Sequence, residues 1–299
     1  MKTVTSNYSD LKRKLQRLVQ LSLVRHSNAR AAIKWPTSLS HTDYWMTPEL
    51  LSPYGTPYHA SLSRDQLLTL SHWESINFYS LNVHGIRHLL MSVIERIHEP
   101  EFEVCSEYFH HFINEENEHM WFFAEFCLRY AGRLYPVKTL DFKQPADADI
   151  HNFITFSQIL VFEEIVDYYN RIMKDDHRLP QIVRTINSLH HGDESRHIAM
   201  GRAVIAYMYS VLKLNYSREH LSTILAYLNS YIVSSLELLY NPACYKDAGI
   251  TQCHSLRTKL LKHPHRHLTH SKMLSGLAAY LTHIRVRDSG LNPTVLGVL

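Results

Sequence analysis

The sequence predicts an all-α protein built on a four-helix bundle, with additional helices at its N- and C-terminal ends. Apolar residues recur at helical spacing along most of the 299 residues, among only 9 glycines and 11 prolines. Four helical segments would each span roughly 40 to 50 Å at about 1.5 Å per residue, a length that suits a bundle. We expect one domain over 1–299, with an N-terminal helix and wrap (1–62), the bundle (63–212) and C-terminal helices packed on it (213–299).

The first predicted helix covers residues 9–25 and has a basic outer face. We expect it to pack on the main body, and binding to a membrane surface is the alternative. From Trp35 to Tyr58, prolines interrupt every periodic pattern, so we expect an ordered wrap there. The apolar face of the first helix consists of Leu11, Leu15, Leu18 and Val19.

The four bundle helices have recognisable ends. Ser63-Arg-Asp-Gln66 has the form of a capping box, in which two side chains satisfy free backbone N–H groups at the start of a helix. Gly132 suits the end of the second helix, and Pro180 marks the start of the fourth. The predicted spans are 63–98, 103–133 and 150–175 for the first three helices, and the fourth runs from Pro180 to about 212.

Two more helices follow the bundle. The first covers 218–240, with Ser217 as its cap and Pro242 just beyond its end. The last is marked by apolar residues over 273–284. Between them, residues 262–270 are basic and rich in histidine, but their spacing does not bring the imidazoles together. We therefore expect a solvated loop there, with metal binding as the alternative.

Composition and charge exclude several classes of protein. The net charge of +3 is small, and no run of basic residues interleaved with aromatics would follow a phosphate backbone, so nucleic-acid binding is disfavoured. The sequence contains no apolar run of about 18 residues and no signal-peptide core, so we expect a cytoplasmic protein without a membrane span. The four cysteines form no C-x-x-C pair, and we expect those inside helices to be buried apolar residues.

The most informative segment is Ser188-Leu-His-His-Gly-Asp-Glu-Ser-Arg-His197, which contains the pattern H-x-x-x-E-x-x-H. At about 100° per residue in a helix, His190, Glu194 and His197 project from one stripe. A second E-x-x-H pattern, Glu116-Asn-Glu-His119, lies on another bundle helix. Two such patterns on facing helices indicate a metal site.

Glu163 completes this pattern from the third bundle helix. It lies 31 residues before Glu194, so in an antiparallel hairpin the two residues are level with each other. Glu164 points about 100° away and is the less suitable candidate. A carboxylate in the apolar run Ile159-Leu-Val-Phe-Glu163 is costly to bury unless a positive charge compensates it, and metal ions do so.

Helices that supply Glu-x-x-His twice, with lone glutamates from the other helices, form the carboxylate-bridged two-metal site of ferritin-like bundles. In that arrangement Glu116 and Glu194 bridge the ions, His119 and His197 bind one ion each, and Glu163 is a terminal ligand. Mixed histidine and carboxylate ligands suit iron or manganese better than structural zinc.

The extra histidine, one turn before Glu194, resembles the additional ligand of the diiron arylamine N-oxygenases, the p-aminobenzoate N-oxygenase family. The gap of 27 residues from Glu163 to His190 is also similar to that family's pattern, as are the segments 45–49 and 241–249. The resemblance implies six metal ligands, which are Glu116, His119, Glu163, His190, Glu194 and His197.

The resemblance also implies an activity. Two iron ions, with manganese an option at one position, would react with O2 as co-substrate and form a peroxo-diiron species that oxygenates the nitrogen of a small arylamine. An external ferredoxin or reductase would return the electrons, and no catalytic residue beyond the metal ligands is implied. Hydroxylation or desaturation of another small or carrier-bound substrate is the alternative, and the sequence leaves a homodimer open.

One ligand of the family pattern has no counterpart. The family places a glutamate on the first bundle helix, and hairpin geometry predicts it near 85–88, where this chain has Gly85-Ile-Arg-His88. His88, Asn82 or a water molecule could take its place. A mononuclear iron or manganese protein, or a bundle kept as a structural partner, is therefore a further alternative. Arg196 and Arg202 are expected in surface ion pairs, with a substrate carboxylate as the other option.

Overall fold

The computed structural model describes residues 2–25, 28–137 and 145–284. Regular structure in these ranges is helical, which confirms the predicted all-α bundle of the ferritin-like type. The α-helices are α1 (Lys2–Arg25), α2 (Ala29–Ala32), α3 (Pro57–Ala60), α4 (Arg64–Ile94), α5 (Glu103–Ala131), α6 (Ala148–Met173), α7 (Gln181–Asn215), α8 (Arg218–Leu238), α9 (Pro242–Asp247), α10 (Cys253–Leu261), α11 (Pro264–Met273) and α12 (Ser275–His283).

The bundle consists of two antiparallel hairpins, α4 with α5 and α6 with α7. Ser63 and Gln66 form both hydrogen bonds of the predicted capping box at the start of α4. Gly132 ends α5 with a φ of 68°, a left-handed conformation that glycine adopts without strain. The first bundle helix ends at Ile94, four residues before the predicted 98, and the connection contains His98 at a φ of 64°.

The N-terminal part of the chain covers one side of the bundle. Helix α1 packs against α5 and α7, and Leu11, Leu15 and Leu18 are buried there, as the periodicity predicts. The wrap that follows is ordered, and the Trp45 ring lies 4.2 Å from that of His72. No helix within the described ranges is long and apolar enough to cross a membrane.

The histidine-rich segment is not a loop, so that prediction is wrong. It forms α11, in which proline occupies the first turn and the His263 side chain accepts a hydrogen bond from the backbone N–H of His265. Arg266 and His270 face inward and both contact the hydroxyl of Tyr240. These tertiary contacts stabilise a helix that the local sequence does not favour.

A buried polar cluster connects this C-terminal region to the wrap and to α4. The Glu74 carboxylate accepts hydrogen bonds from the backbone N–H of Ser52, at 2.9 Å, and from its hydroxyl, at 2.5 Å. The Ser52 hydroxyl also contacts that of Tyr245 on α9. Burial raises the pKa of Glu74 to about 7, and the Ser52 hydrogen bonds and the nearby Arg266 only partly oppose this.

We expect Glu74→Gln to stabilise the protein at alkaline pH. Between about pH 4.5 and 7 the folded protein retains a proton on Glu74 that the unfolded chain releases, so wild-type stability falls as pH rises through this window. The difference between the pKa of Glu74 in the unfolded chain, 4.5, and in the folded protein, about 7, corresponds to a free energy of unfolding of about 3 kcal/mol. In urea unfolding, the free energy of unfolding of Glu74→Gln should exceed that of the wild type by up to about this amount at pH 8, and should not exceed it at pH 5. Glu107→Gln, at an exposed position on α5, is the control, and equal gains for both variants would refute the prediction.

Candidate metal centre

The structure brings the six predicted ligands together in the middle of the bundle. Two lie on α5, one on α6 and three on α7, and all are almost inaccessible to solvent, with relative exposures of 0 to 2%. The α-helical spacing of the two E-x-x-H patterns places each Glu and its His on the inner face of their helix. These residues are Glu116, His119, Glu163, His190, Glu194 and His197.

Glu116 and Glu194 lie between the histidines. One nitrogen or carboxylate oxygen from each of Glu116, His119, Glu194 and His197 falls within 4.8 Å of the others. Glu116 lies 2.7 Å from Nδ1 of His197 and 3.5 Å from Nδ1 of His119. Oε1 of Glu194 lies 3.0 Å from Nε2 of His190, 3.4 Å from Nδ1 of His197 and 3.7 Å from Nδ1 of His119.

Charge and burial compete strongly at these groups. Burial opposes ionisation of Glu194, but the charges of His190 and His197 outweigh it and hold its pKa well below the usual value. Burial also disfavours the charged form of His119, yet Glu116 and Asp193 raise its pKa to about 9. In the metal-free protein, therefore, Glu194 and His119 each favour the charged form because a group of opposite charge lies beside them.

Glu163 completes the set from α6. Burial, and then the negative charges of Glu194 and Glu116, raise its pKa well above that of an ordinary glutamate. A third carboxylate at this point is therefore poorly compensated by protein groups alone. Glu164, one residue later, instead accepts hydrogen bonds from Arg202 away from the site.

The inward-facing atoms of the six residues make no hydrogen bond of acceptable geometry with the protein. Both oxygens of each glutamate, Nδ1 of His119 and His197, and Nε2 of His190 are buried without a hydrogen bond of acceptable geometry. Buried polar atoms almost always have partners, so this group of nitrogen and oxygen donors fits metal ions. Three carboxylates and three imidazoles suit iron or manganese.

The histidines of the two E-x-x-H patterns are each oriented by a carboxylate from the opposite helix. His119 on α5 contacts Oδ2 of Asp193 on α7 through its Nε2, at 3.1 Å. His197 on α7 contacts Oε2 of Glu115 on α5 in the same way, at 2.8 Å. These contacts leave Nδ1 of both rings facing inward, and outer carboxylates of this kind fix the ring and increase its basicity as a ligand.

Arg196 holds both outer carboxylates. Its guanidinium donates to Glu115 at 2.8 Å and to Asp193 at 2.6 Å, and it also donates to Ser22 of α1 at 3.0 Å. The side chain is 3% exposed, so the expected surface ion pair is wrong, and its partners are protein carboxylates. A repeated sequence signal could have identified the outer carboxylates, because an acidic residue directly precedes the glutamate of both E-x-x-H patterns.

Asn170 lies against the outer nitrogen of His190, with its Nδ2 2.5 Å from Nδ1 of the ring. A rotation of the amide by 180° exchanges its nitrogen and oxygen. The ring N–H at Nδ1 can then donate to the amide oxygen, which leaves Nε2 free as a ligand. Sequence spacing did not identify this contact, since Asn170 belongs to the other arm of the hairpin.

The family model described as p-aminobenzoate N-oxygenase AurF matches residues 9–285. The chain belongs to that family. Its members are diiron oxygenases, so the predicted class of oxidoreductase is confirmed. No curated protein matches the chain.

Where hairpin counting expects the glutamate of α4, this family member has no acidic side chain. Ile86 in that segment is apolar and buried, while His88 is exposed. A Cβ added at Gly85 would lie 2.3 Å from the ring of Phe162, so that ring fills the space a side chain would need. Asn82 is fully buried one turn earlier, and its Oδ1 has no hydrogen-bond partner, although its Nδ2 donates to a backbone carbonyl.

A cavity of about 270 Å³ lies between α4, α6 and α8 of this N-oxygenase family member. Its walls are largely apolar, and Asn82 and Phe162 are among them. Ile159 and Val166 also line it, and they share a face of α6 with Glu163, about one turn to either side. The wall of the cavity therefore includes the face of α6 that carries Glu163, although none of the six predicted ligands lines the cavity.

Proposed function

We propose that the chain is an O2-dependent diiron N-oxygenase that acts on a small aromatic amine. The observation that carries this proposal is the set of buried nitrogen and oxygen atoms without a hydrogen bond of acceptable geometry, contributed by two E-x-x-H patterns, one further glutamate and one further histidine. Membership of the N-oxygenase family supports the same reaction. We assign the ligand role to Glu116, His119, Glu163, His190, Glu194 and His197.

Two bound iron ions would supply two electrons and open positions for O2. In this assignment Glu116 and Glu194 would be the central ligands, because each lies beside two or more of the histidines. Glu163 and His190 would add one further carboxylate and one further imidazole to the ligand set. The outer carboxylates keep the imidazole rings in place, and the closed surroundings exclude water from the site.

We further propose that Asn82 replaces the missing glutamate of α4. It is buried, its Oδ1 is free, and it lies one turn from Ile86 on the inner face of the helix. An amide oxygen is a weaker ligand than a carboxylate because it has no negative charge. The site then offers three carboxylates to two divalent ions, and the ion nearest α4 is the more weakly held.

The cavity beside Glu163 would hold the amine. Conversion of an amine to a hydroxylamine inserts one oxygen atom of O2 into an N–H bond, and the second oxygen atom leaves as water after it takes up two electrons and two protons. An external donor must provide those electrons, and a ferredoxin or a reductase is the class we propose. We also retain a cytoplasmic location and leave a homodimer open.

Iron loading with isotope labelling tests this proposal. We expect the protein, loaded anaerobically with Fe(II), to retain about two irons per chain and, with a reductant and 18O2, to add 18O to the nitrogen of an aniline. About one iron per chain would support the mononuclear alternative instead, and none would support a structural role. Absence of labelled product from every aniline tested would refute the N-oxygenase proposal.

Two variants in the same experiment test Asn82. Asn82→Glu restores a carboxylate and should raise the affinity for the more weakly held iron by about 10-fold, whereas Asn82→Leu should lower it by a similar factor. Iron titration with a chromophoric chelator as competitor measures both changes. If neither variant alters iron binding, the assignment of Asn82 is wrong.

A further inference from the structure

We propose that the cavity between α4, α6 and α8 selects an aromatic amine without a negative charge, so that a free aminobenzoate is a poor ligand. This inference rests on the proposed function, because it takes the cavity as the substrate site. It concerns the charge of the substrate, which neither the metal ligands nor membership of the family determines.

The first argument is the charge of the walls. Among the residues in the described ranges that line the cavity, none is Asp, Glu, Lys or Arg. Their polar groups are neutral amides and hydroxyls, for example those of Thr155, Gln158 and Ser235. A carboxylate that leaves water for such surroundings loses its hydration without a cation to replace it, whereas a neutral polar group can be satisfied by these amides and hydroxyls.

The two histidines of the wall do not replace that cation. Nε2 of His84 lies 3.0 Å from the carbonyl oxygen of Tyr135, which can only accept a hydrogen bond. Its Nδ1 lies 3.4 Å from the guanidinium of Arg87, which can only donate. Both ring nitrogens of His84 therefore already lie beside protein groups. His88 is exposed, so its ring remains in water at the edge of the cavity.

The size of the cavity agrees with one small aromatic ring. Its volume of about 270 Å³ lies close to the lower end of the range of roughly 300 to 1,000 Å³ for small-molecule pockets. Phe78 contributes an aromatic wall, and its ring stacks on Tyr169 at 4.6 Å, which holds it in place. We therefore expect recognition through ring contacts and neutral hydrogen bonds rather than through an ion pair.

Two probes of nearly identical shape test the inference. At neutral pH, 4-aminobenzoate is negatively charged and 4-aminobenzamide is neutral. We expect calorimetry on the anaerobic Fe(II)-loaded protein, and on the metal-free protein, to show at least about 10-fold tighter binding of the amide. Equal or tighter binding of the benzoate would overturn the inference, and so would the absence of binding by either compound.

A matched pair of variants on α8 tests whether the charge preference arises in the cavity. Ser235 lines the cavity and Ser230 is exposed, and each hydroxyl donates to the carbonyl of the residue four positions earlier. Ser235→Arg adds a cation to the cavity and should improve benzoate binding by at least about 10-fold relative to the amide. Ser230→Arg should preserve the wild-type ratio. The same response in both variants would show that the cavity does not select the ligand.

This test is separate from that of the proposed function. Loss of labelled product with normal amide selectivity would refute N-oxygenation and leave the charge preference intact. Normal oxygenation with preferred benzoate binding would refute only the charge preference.

Discussion

Glu163→Gln is expected to lower the iron content below that of the wild-type protein and to reduce N-oxygenation by at least about 100-fold, more than the roughly 10- to 100-fold cost of changes outside the ligand set. An amide in place of the carboxylate removes one of three negative charges that face the metals. The metal-free variant should nevertheless unfold with a free energy close to that of the wild type, since the raised pKa of Glu163 means that glutamine resembles its protonated form. Iron analysis, product assays and urea unfolding measure these three quantities.

The neighbouring glutamate supplies the matched control. Glu164→Gln makes the same chemical change one residue later, where the carboxylate pairs with Arg202 instead. It should leave the iron content unchanged and cost about 1 kcal/mol of stability or less. Equal iron loss in the two variants would contradict the assignment of Glu163, as would full iron binding by Glu163→Gln.

Arg196→Leu is the second change with a large expected effect. It leaves Glu115 and Asp193 buried without their shared cation, and the loss of one partner of a buried ion pair typically costs about 3 to 5 kcal/mol. The histidines that these carboxylates orient should also bind iron about 10- to 100-fold more weakly. Urea unfolding of the metal-free protein and competitive iron titration measure the two effects separately.

Arg171→Leu is a suitable comparison, because Arg171 is exposed and pairs with Asp167 at 3.3 Å. Pairs on the surface contribute about 0 to 1 kcal/mol, and this one lies outside the proposed ligand set. The role of Arg196 would be disproved if its leucine variant kept wild-type stability and wild-type iron affinity.

Local chemistry made much of the fold predictable. Helix ends followed from groups that act within a few residues, such as the Ser63 capping box, Gly132 and the Ser217 cap. The segment 262–270 was wrongly predicted as a loop, because the helix that it enters depends on distant partners, among them Tyr240. The single domain over 1–299 and the cytoplasmic location stay predictions.

The candidate site was predictable where helical periodicity determines direction. The helical spacing from Glu116 to His119, and from His190 to His197, places the residues of each pattern on one face of their helix. Glu163 followed because it is level with Glu194 when the third and fourth bundle helices form an antiparallel hairpin. The spacing could not supply contacts that depend on how helices pair, so Asn170 and the α8 wall of the cavity were not foreseen. The ligand roles of the six residues stay predictions.

The reciprocal contacts between α5 and α7 affect how the site can evolve and how it can be engineered. Asp193 orients His119, and Glu115 orients His197, so each helix carries the support for the other helix's histidine. A change in either acidic residue therefore acts at a position some 74 or 82 residues away in the sequence. A single E-x-x-H helix transplanted into another bundle would lack the carboxylate that orients its histidine, so α5 and α7 must be transferred together. For the same reason, we expect substitutions in one of these helices to require matching substitutions in the other during evolution.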